Sequence, residues 1–268
     1  MFPVGHVLHD TYRIVRVLGQ GGMGSLFEVE HLRLPRRFAL KVMAAPAAKS
    51  QEFMLRFRRE AEILASLDHP NVVTVLDWNI APAGQPYLVM ELLTGENLAQ
   101  HLQRNGALPP RVAISILAQA VAALEVAHSH GITHRDLKPA NIFLCKNGVV
   151  PYFTKVLDFG IAKSAQHTST LVTNHLVLMG TPAYMAPEQA RGDIAGVDAR
   201  ADQFSLGLVL YEMLSGRPAF YRRGEPAMNT ICRVMTEDPP PLPDVGMNHA
   251  IMRALRKQPE ERYRSMSE

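Results

Sequence analysis

His134-Arg135-Asp136-Leu137-Lys138-Pro139-Ala140-Asn141 packs an acid, two cations and an amide into one short loop, and Asp158-Phe159-Gly160 follows it after the strand-like Lys155-Val156-Leu157. Each tripeptide taken singly, His-Arg-Asp or Asp-Phe-Gly, would be surface noise; their joint order is the specific signal. Upstream of the loop, a helical pattern from Pro110 to His130 stops at Gly131. Downstream, Asp202 to Ser215, closed by Gly216, is apolar on nearly every side and reads as a buried axis. This half of the chain is therefore mainly helical.

The other half has a different period. Tyr12 to Leu18, Ser25 to Glu30, Arg37 to Val42, Val72 to Leu76 and Tyr87 to Met90 are β-branched and aromatic runs that predict an antiparallel sheet. Among them, Phe53, Phe57, Glu60, Leu64 and Leu67 recur at helical spacing. Glu60 thus falls on an apolar face, where a carboxylate is costly unless paired. Lys41, mid-strand in Ala39-Leu40-Lys41-Val42, is the cation placed to meet it. Gly19-Gln20-Gly21-Gly22-Met23-Gly24 follows the first strand and lets backbone N–H groups approach a phosphate. A Rossmann site would need a helix next, whereas Ser25 to Glu30 reads as a strand, so the loop is expected to be a hairpin flap. A glycine-rich hairpin without a ligand is the alternative for this loop alone.

Length and composition bound the rest. The 268 residues allow one large domain or two lobes sharing a function. Hydrophobic residues at 47% and charged residues at 20% exclude a disordered chain, a collagen-like polymer and a coiled coil. A net charge of +3 argues against nucleic-acid or membrane-surface partners. Cys145 and Cys232 form no CxxC or Cys/His cluster, so neither a disulfide framework nor structural zinc is indicated and a reducing compartment is expected. The longest nearly apolar run, Val112 to Leu124, falls short of the roughly 20 residues that cross a bilayer. The first residues lack a secretory pattern, which points to the cytoplasm, with tethering through sequence beyond residue 268 left open.

Hard oxygen and amide ligands for a metal, cations over phosphates and a carboxylate for an incoming hydroxyl suit phosphoryl transfer. The ordered set of glycine loop, Lys41, Glu60, His134-Arg135-Asp136, Asn141, Asp158-Phe159-Gly160 and Ala186-Pro187-Glu188 strongly resembles the eukaryotic-type protein kinases from about Tyr12 to Arg264. Lys138 to Asn141 and Gly180-Thr181-Pro182-Ala183-Tyr184 resemble the serine/threonine branch. Phe57-Arg58-Arg59-Glu60-Ala61 and Tyr184 to Ala190 look most like its bacterial members.

The resemblance implies an α+β, bilobal fold: a small sheet lobe (about 12–90), a hinge (about 91–96) and a larger helical lobe (about 97–268), with ATP in the cleft between them. It implies ATP with Mg2+ or Mn2+ as cofactors, and protein substrates, including the chain itself. A second copy of the chain, meeting the small lobe, is a further partner by analogy. Lys41 would hold the α- and β-phosphates while Glu60 orients it, and Asn141 and Asp158 would bind the metal. Asp136 would accept or align the substrate hydroxyl, and Lys138 would counter charge on the transferred group. Leu18, Gly19, Gly21 and Gly24 would cover the nucleotide. Leu26 and Ala39 would lie above the adenine and Phe143 below it, behind Met90, with backbone groups of Glu91 and Leu93 bonding to it. Asp202 should tie down the catalytic loop, and Glu188 should pair with Arg262.

The stretch Gly160 to Pro187 shows no regular period and carries Thr168, Ser169, Thr170 and Thr173; such a long irregular loop usually carries function. Arg135 invites a phosphate there, with Thr173 the first choice and Thr170 the second. Ordinary polar loop residues are the competing reading. Thr181 resembles the family's threonine that contacts the catalytic aspartate and lysine. Three features depart from the pattern: Phe143 stands where Leu or Met is usual, the Cys145 to Thr154 connection is long, and the chain stops at Glu268, where the family's last helix begins. A nucleotide- or partner-binding module without chemistry is the competing class, but such proteins usually lose the equivalents of Lys41, Asp136 or Asp158.

Overall fold

A computed structural model describes residues 2–21, 24–44, 51–82, 84–146, 150–159, 182–192, 196–242 and 246–268. The described chain divides into two compact units: residues of 2–68 and 72–94, and residues 69–71 with those of 95–268.

The smaller unit is a six-stranded antiparallel sheet. Its strands are β1 (Val7–Leu8), β2 (Tyr12–Gly21), β3 (Gly24–His31), β4 (Arg37–Met43), β5 (Val75–Ile80) and β6 (Pro86–Glu91), in the order β1-β2-β3-β4-β6-β5. One helix, α1 (Gln51–Ser66), accompanies them. Period-2 alternation divides the sheet residues between two faces. Tyr12, Ile14, Phe27, Val29, Phe38, Leu40, Val42, Tyr87 and Val89 turn one way and form a buried cluster with Leu8. Leu26, Ala39, Lys41 and Met90 fall on the opposite face, with Leu26 opposite Lys41 and Ala39 opposite Met90. Trp78 of β5 pairs with Leu88 on that second face, and its ring meets Phe57 of α1 at 6.1 Å. Helix α1 therefore covers the face that bears Lys41.

The glycine loop is the β2–β3 hairpin, with Gly19 opposite Leu26 and Gly21 opposite Gly24. Gly24 has φ 141°, and a Cβ there would lie 2.0 Å from the carbonyl oxygen of Val42. Only glycine allows β3 to approach β4 so closely. One strand is corrected: the run Val72 to Leu76 forms a continuous strand only from Val75 onward. Val72 forms an isolated bridge outside that strand, and both Val72 and Val73 are buried.

Glu28 of β3 is buried, with 3% of its side chain exposed, between Arg37 at 2.7 Å and Arg16 at 2.7 Å. The Arg37 hydrogen bond, aided by Arg16, outweighs burial and holds this carboxyl below its ordinary 4.5. A depressed folded pKa contributes stability above pH 4.5 that is lost as pH falls through the folded value. Thermal melts from pH 7 to acid pH should therefore show a smaller decline in Glu28→Gln than in wild type. Equal declines would refute this contribution.

The larger unit contains a three-stranded sheet of β7 (Gly95–Asn97), β8 (Ile142–Cys145) and β9 (Phe153–Val156). Its helices are α2 (Leu98–Asn105), α3 (Pro110–Ser129), α4 (Pro187–Ala190), α5 (Ala199–Ser215), α6 (Ala227–Thr236) and α7 (Asn248–Ala254). Helix α5 is the expected buried axis, with an unbroken buried run from Ala201 to Tyr211. It begins before Asp202 because Asp198 caps it, accepting from Arg200 N at 2.8 Å. The apolar run from Val112 lies within the 20-residue helix α3, as the helical pattern from Pro110 to His130 implied. By length and composition α3 could cross a bilayer, with mean hydropathy 1.6 over its most apolar window. Its Ala113, Ile116, Ala120, Ala123, Leu124 and Ala127 are buried, and it contacts α5 and β9, with 33% of that window buried. The long connection after Cys145 joins β8 to β9. Among the described residues both cysteines are free thiols, Cys145 buried and Cys232 exposed.

Candidate active site

The loop after α3 owes its shape to one buried carboxylate. Asp202 is fully buried; it accepts from the N–H of His134 at 2.7 Å and of Arg135 at 2.9 Å. The expected tie is present. His128, at the end of α3, adds a third bond, from Nε2 to Asp202 Oδ2 at 2.8 Å. No sequence pattern singled out His128, because a histidine near a helix end reads as an ordinary C-terminal residue. His134 is itself buried: its Nε2 donates to Leu157 O at 2.8 Å, and its ring lies 4.8 Å from that of Phe159. The two motifs that were separate in the chain meet through this histidine.

Within the loop, Lys138 Nζ donates to Asp136 Oδ2 at 2.8 Å. Asn141 Nδ2 donates to the Asp136 carbonyl at 2.8 Å, with a longer contact of 3.4 Å to Oδ2. The side chains of Asp136 and Lys138 are 12% and 20% exposed, enough to meet a substrate while staying mutually fixed. Because Asn141 spends its N–H on Asp136, its Oδ1 is the amide atom that can face a cation. Leu157 N donates to Asn141 O at 2.8 Å, bringing the segment before Asp158 beside Asn141. Asp158 itself has φ 53°, a left-handed conformation unusual outside glycine. One amide oxygen and one carboxylate suit a divalent cation that takes its remaining ligands from phosphates and water.

Phe143 is half-buried in β8, opposite Asn97 and Lys155. Gly95 has φ 150°, and a Cβ there would lie 2.0 Å from Leu144 O and 3.0 Å from the Phe143 ring. Glycine at 95 thus lets β7 seat against β8. In the smaller unit, Leu18, Gly19, Leu26, Lys41, Glu60, Glu91 and Leu93 are partly exposed, whereas Ala39 and Met90 are buried. Thr170, Thr173, Thr181 and Gly160 lie outside the described residues. The Arg135 Nε is buried and meets no hydrogen-bond partner among the described residues.

The segment that follows residue 181 is anchored from below. Tyr184 donates its hydroxyl to Glu212 of α5, and Ser205 Oγ donates to Tyr184 O at 2.8 Å. Burial pushes both the Tyr184 phenol and the Glu212 carboxyl above their ordinary values. Glu188 and Arg262 form the expected pair, two parallel bonds of 2.7 Å, with side chains 4% and 0% exposed. Arg262 also donates to the carbonyls of Arg200 and Arg256, each at 2.8 Å.

The model of the protein kinase domain family matches residues 12–266, and the chain belongs to that family, on its bacterial serine/threonine branch. The serine/threonine-protein kinase PknB of Mycolicibacterium smegmatis is 43% identical over 97% of this chain and 42% of its own length. Pkn1 of Myxococcus xanthus is 41% identical over 99% of this chain and 38% of its own. The chain thus spans about two fifths of the curated relatives it matches. A solved double mutant of the PknI kinase domain from Mycobacterium tuberculosis superposes with a TM-score of 0.79 at 30% identity, over 99% of this chain and 95% of that one. The α+β kinase fold is the one the motifs implied. ATP and a divalent cation are the cofactors of the family, and proteins are its substrates.

Proposed function

We propose that this chain transfers the γ-phosphoryl group of Mg-ATP to serine and threonine hydroxyls of proteins, its own included. The observation that carries the reading is the Asp136–Lys138–Asn141 cluster, in which Lys138 bonds to the Asp136 carboxylate and Asn141 to the Asp136 backbone carbonyl, each at 2.8 Å, while Asp202 fixes the loop through the N–H of His134. Asp136 accepts the acceptor hydroxyl's proton as the hydroxyl oxygen bonds to phosphorus and the bond to the ADP oxygen breaks. Lys138, bonded to Asp136 at 2.8 Å, offsets the charge on the moving group.

Asn141 and Asp158 would hold the Mg2+, which when bound would supply positive charge to neutralise the phosphates. Lys41 binds the α- and β-phosphates and Glu60 orients it, a pairing supported by α1 covering the Lys41 face of the sheet. Leu18, Gly19, Gly21, Gly24, Leu26, Ala39 and Met90 of the smaller unit, and Phe143 of the larger, are the residues we assign to nucleotide binding. Backbone groups of Glu91 and Leu93 bond to the adenine. Phosphorylation of Thr173, or failing that Thr170, supplies an anion for Arg135, and Thr181 takes the part of the family's threonine beside the catalytic aspartate and lysine.

Incubation with γ-labelled ATP, Mg2+ and a basic protein should yield labelled phosphoserine and phosphothreonine after acid hydrolysis. Label no higher than a chain-free control would sink the proposal.

A further inference from the structure

The peptide bond that carries the N–H of Asp136 has an anchor outside the catalytic loop. Arg135 has φ 61°, a conformation that a non-glycine residue keeps only where its surroundings impose it. Its N–H donates to Asp202 Oδ1 at 2.9 Å, and its C=O accepts from Gln189 Nε2 at 3.0 Å. Two side chains therefore pin the peptide groups on either side of one strained residue. The Arg135 carbonyl and the Asp136 N–H belong to the same planar peptide, so a rotation of that plane swings the Asp136 side chain. On its N–H side this peptide donates to His134 Nδ1 at 3.3 Å. Gln189 makes the shorter of the two bonds.

Gln189 lies in α4, and its Oε1 accepts from Ala186 N at 3.0 Å. This is one half of a capping box; Ala186 has no side-chain acceptor to return the bond. Its neighbour Glu188 is locked by Arg262, so α4 is a fixed platform for the amide. One side chain thus faces two ways, toward the segment 182–190 and toward the catalytic loop.

We propose that Gln189 is a positioning residue which, through the Arg135–Asp136 peptide, aims the Asp136 carboxylate and couples the catalytic loop to the segment 182–190. The inference rests on the reading of Asp136 as the proton acceptor. A helix-capping role alone predicts a different result in Gln189→Glu. That variant keeps the acceptor for Ala186 N and favours the helix N-terminus, but it turns a carboxylate oxygen on the Arg135 carbonyl. Positioning predicts that kcat falls about tenfold, as misplacements well below 1 Å can produce, with KM for ATP within about twofold of wild type. The thermal midpoint stays within about 2 °C.

If repulsion unfolds the Glu variant, Gln189→Met, neutral and similar in volume, gives the same reading: a kcat loss at unchanged KM supports the role. Wild-type kcat in the folded variant overturns it. A wild-type chain without phosphotransfer would instead remove the reading of Asp136 itself.

Discussion

In Asp136→Asn, kcat is expected to fall roughly a hundredfold to ten-thousandfold while the thermal midpoint and the ATP dissociation constant stay close to wild type. The separation follows from the bonds around residue 136. Asn141 donates chiefly to the backbone carbonyl of that residue, and Asp202 fixes the loop through the N–H groups of His134 and Arg135. None of these bonds uses the Asp136 carboxylate. An amide still offers Lys138 an oxygen in place of the one now bonded at 2.8 Å, so the loop retains its frame. What disappears is the charge and basicity needed to receive a proton. Initial-rate kinetics beside a melting curve would check both halves. More than a tenth of wild-type kcat would remove Asp136 from its role, and a large drop in melting temperature would show that the residue is structural.

Arg262→Ala is expected to cost about 3–5 kcal/mol of stability, because it strands the buried carboxylate of Glu188. For a chain of this size that is roughly 10 °C in Tm. The guanidinium is fully buried, makes two bonds to Glu188, reaches the carbonyls of Arg200 and Arg256, and stacks 5.0 Å from the Phe204 ring. Its loss frees acceptors on several elements at once. An exposed pair such as Arg58–Glu62 should change stability by less than about 1 kcal/mol when broken, which makes Arg58→Ala the control. Similar melting points for Arg262→Ala and Arg58→Ala would refute the assignment.

The motifs were legible before the geometry was. Asp136, Lys138, Asn141 and Asp158 announce themselves because acid, cation and amide types occur in a fixed order near a helix stop. The glycine loop is readable as a hairpin because a strand pattern, rather than a helix pattern, follows Gly24. Long-range partners left weaker traces. His69–Asn71 lies between two elements of the smaller unit in sequence, yet Asn71 donates to Thr154 O and accepts from Val156 N, each at 2.7 Å, and so belongs with the larger unit. No local pattern encodes that choice. Strand β7 was missed because Gly95-Glu96-Asn97 has turn chemistry; it pairs only because glycine tolerates φ 150° against β8. Likewise, the β-branched run at Val72 indicated burial correctly, but the continuous strand starts only at Val75, with Val72 in an isolated bridge. His128 and Gln189 carry no sequence signal of their own, since their importance lies in the backbone atoms they reach.

The most direct test is a crystal structure of the chain with Mn2+ in place of Mg2+ and a non-hydrolysable ATP analogue, located by anomalous scattering. The account predicts a metal peak between Asn141 Oδ1 and the Asp158 carboxylate, with the terminal phosphate facing Asp136 and Lys138. A well-ordered nucleotide whose metal avoids both residues, or whose terminal phosphate points away from Asp136, would contradict it.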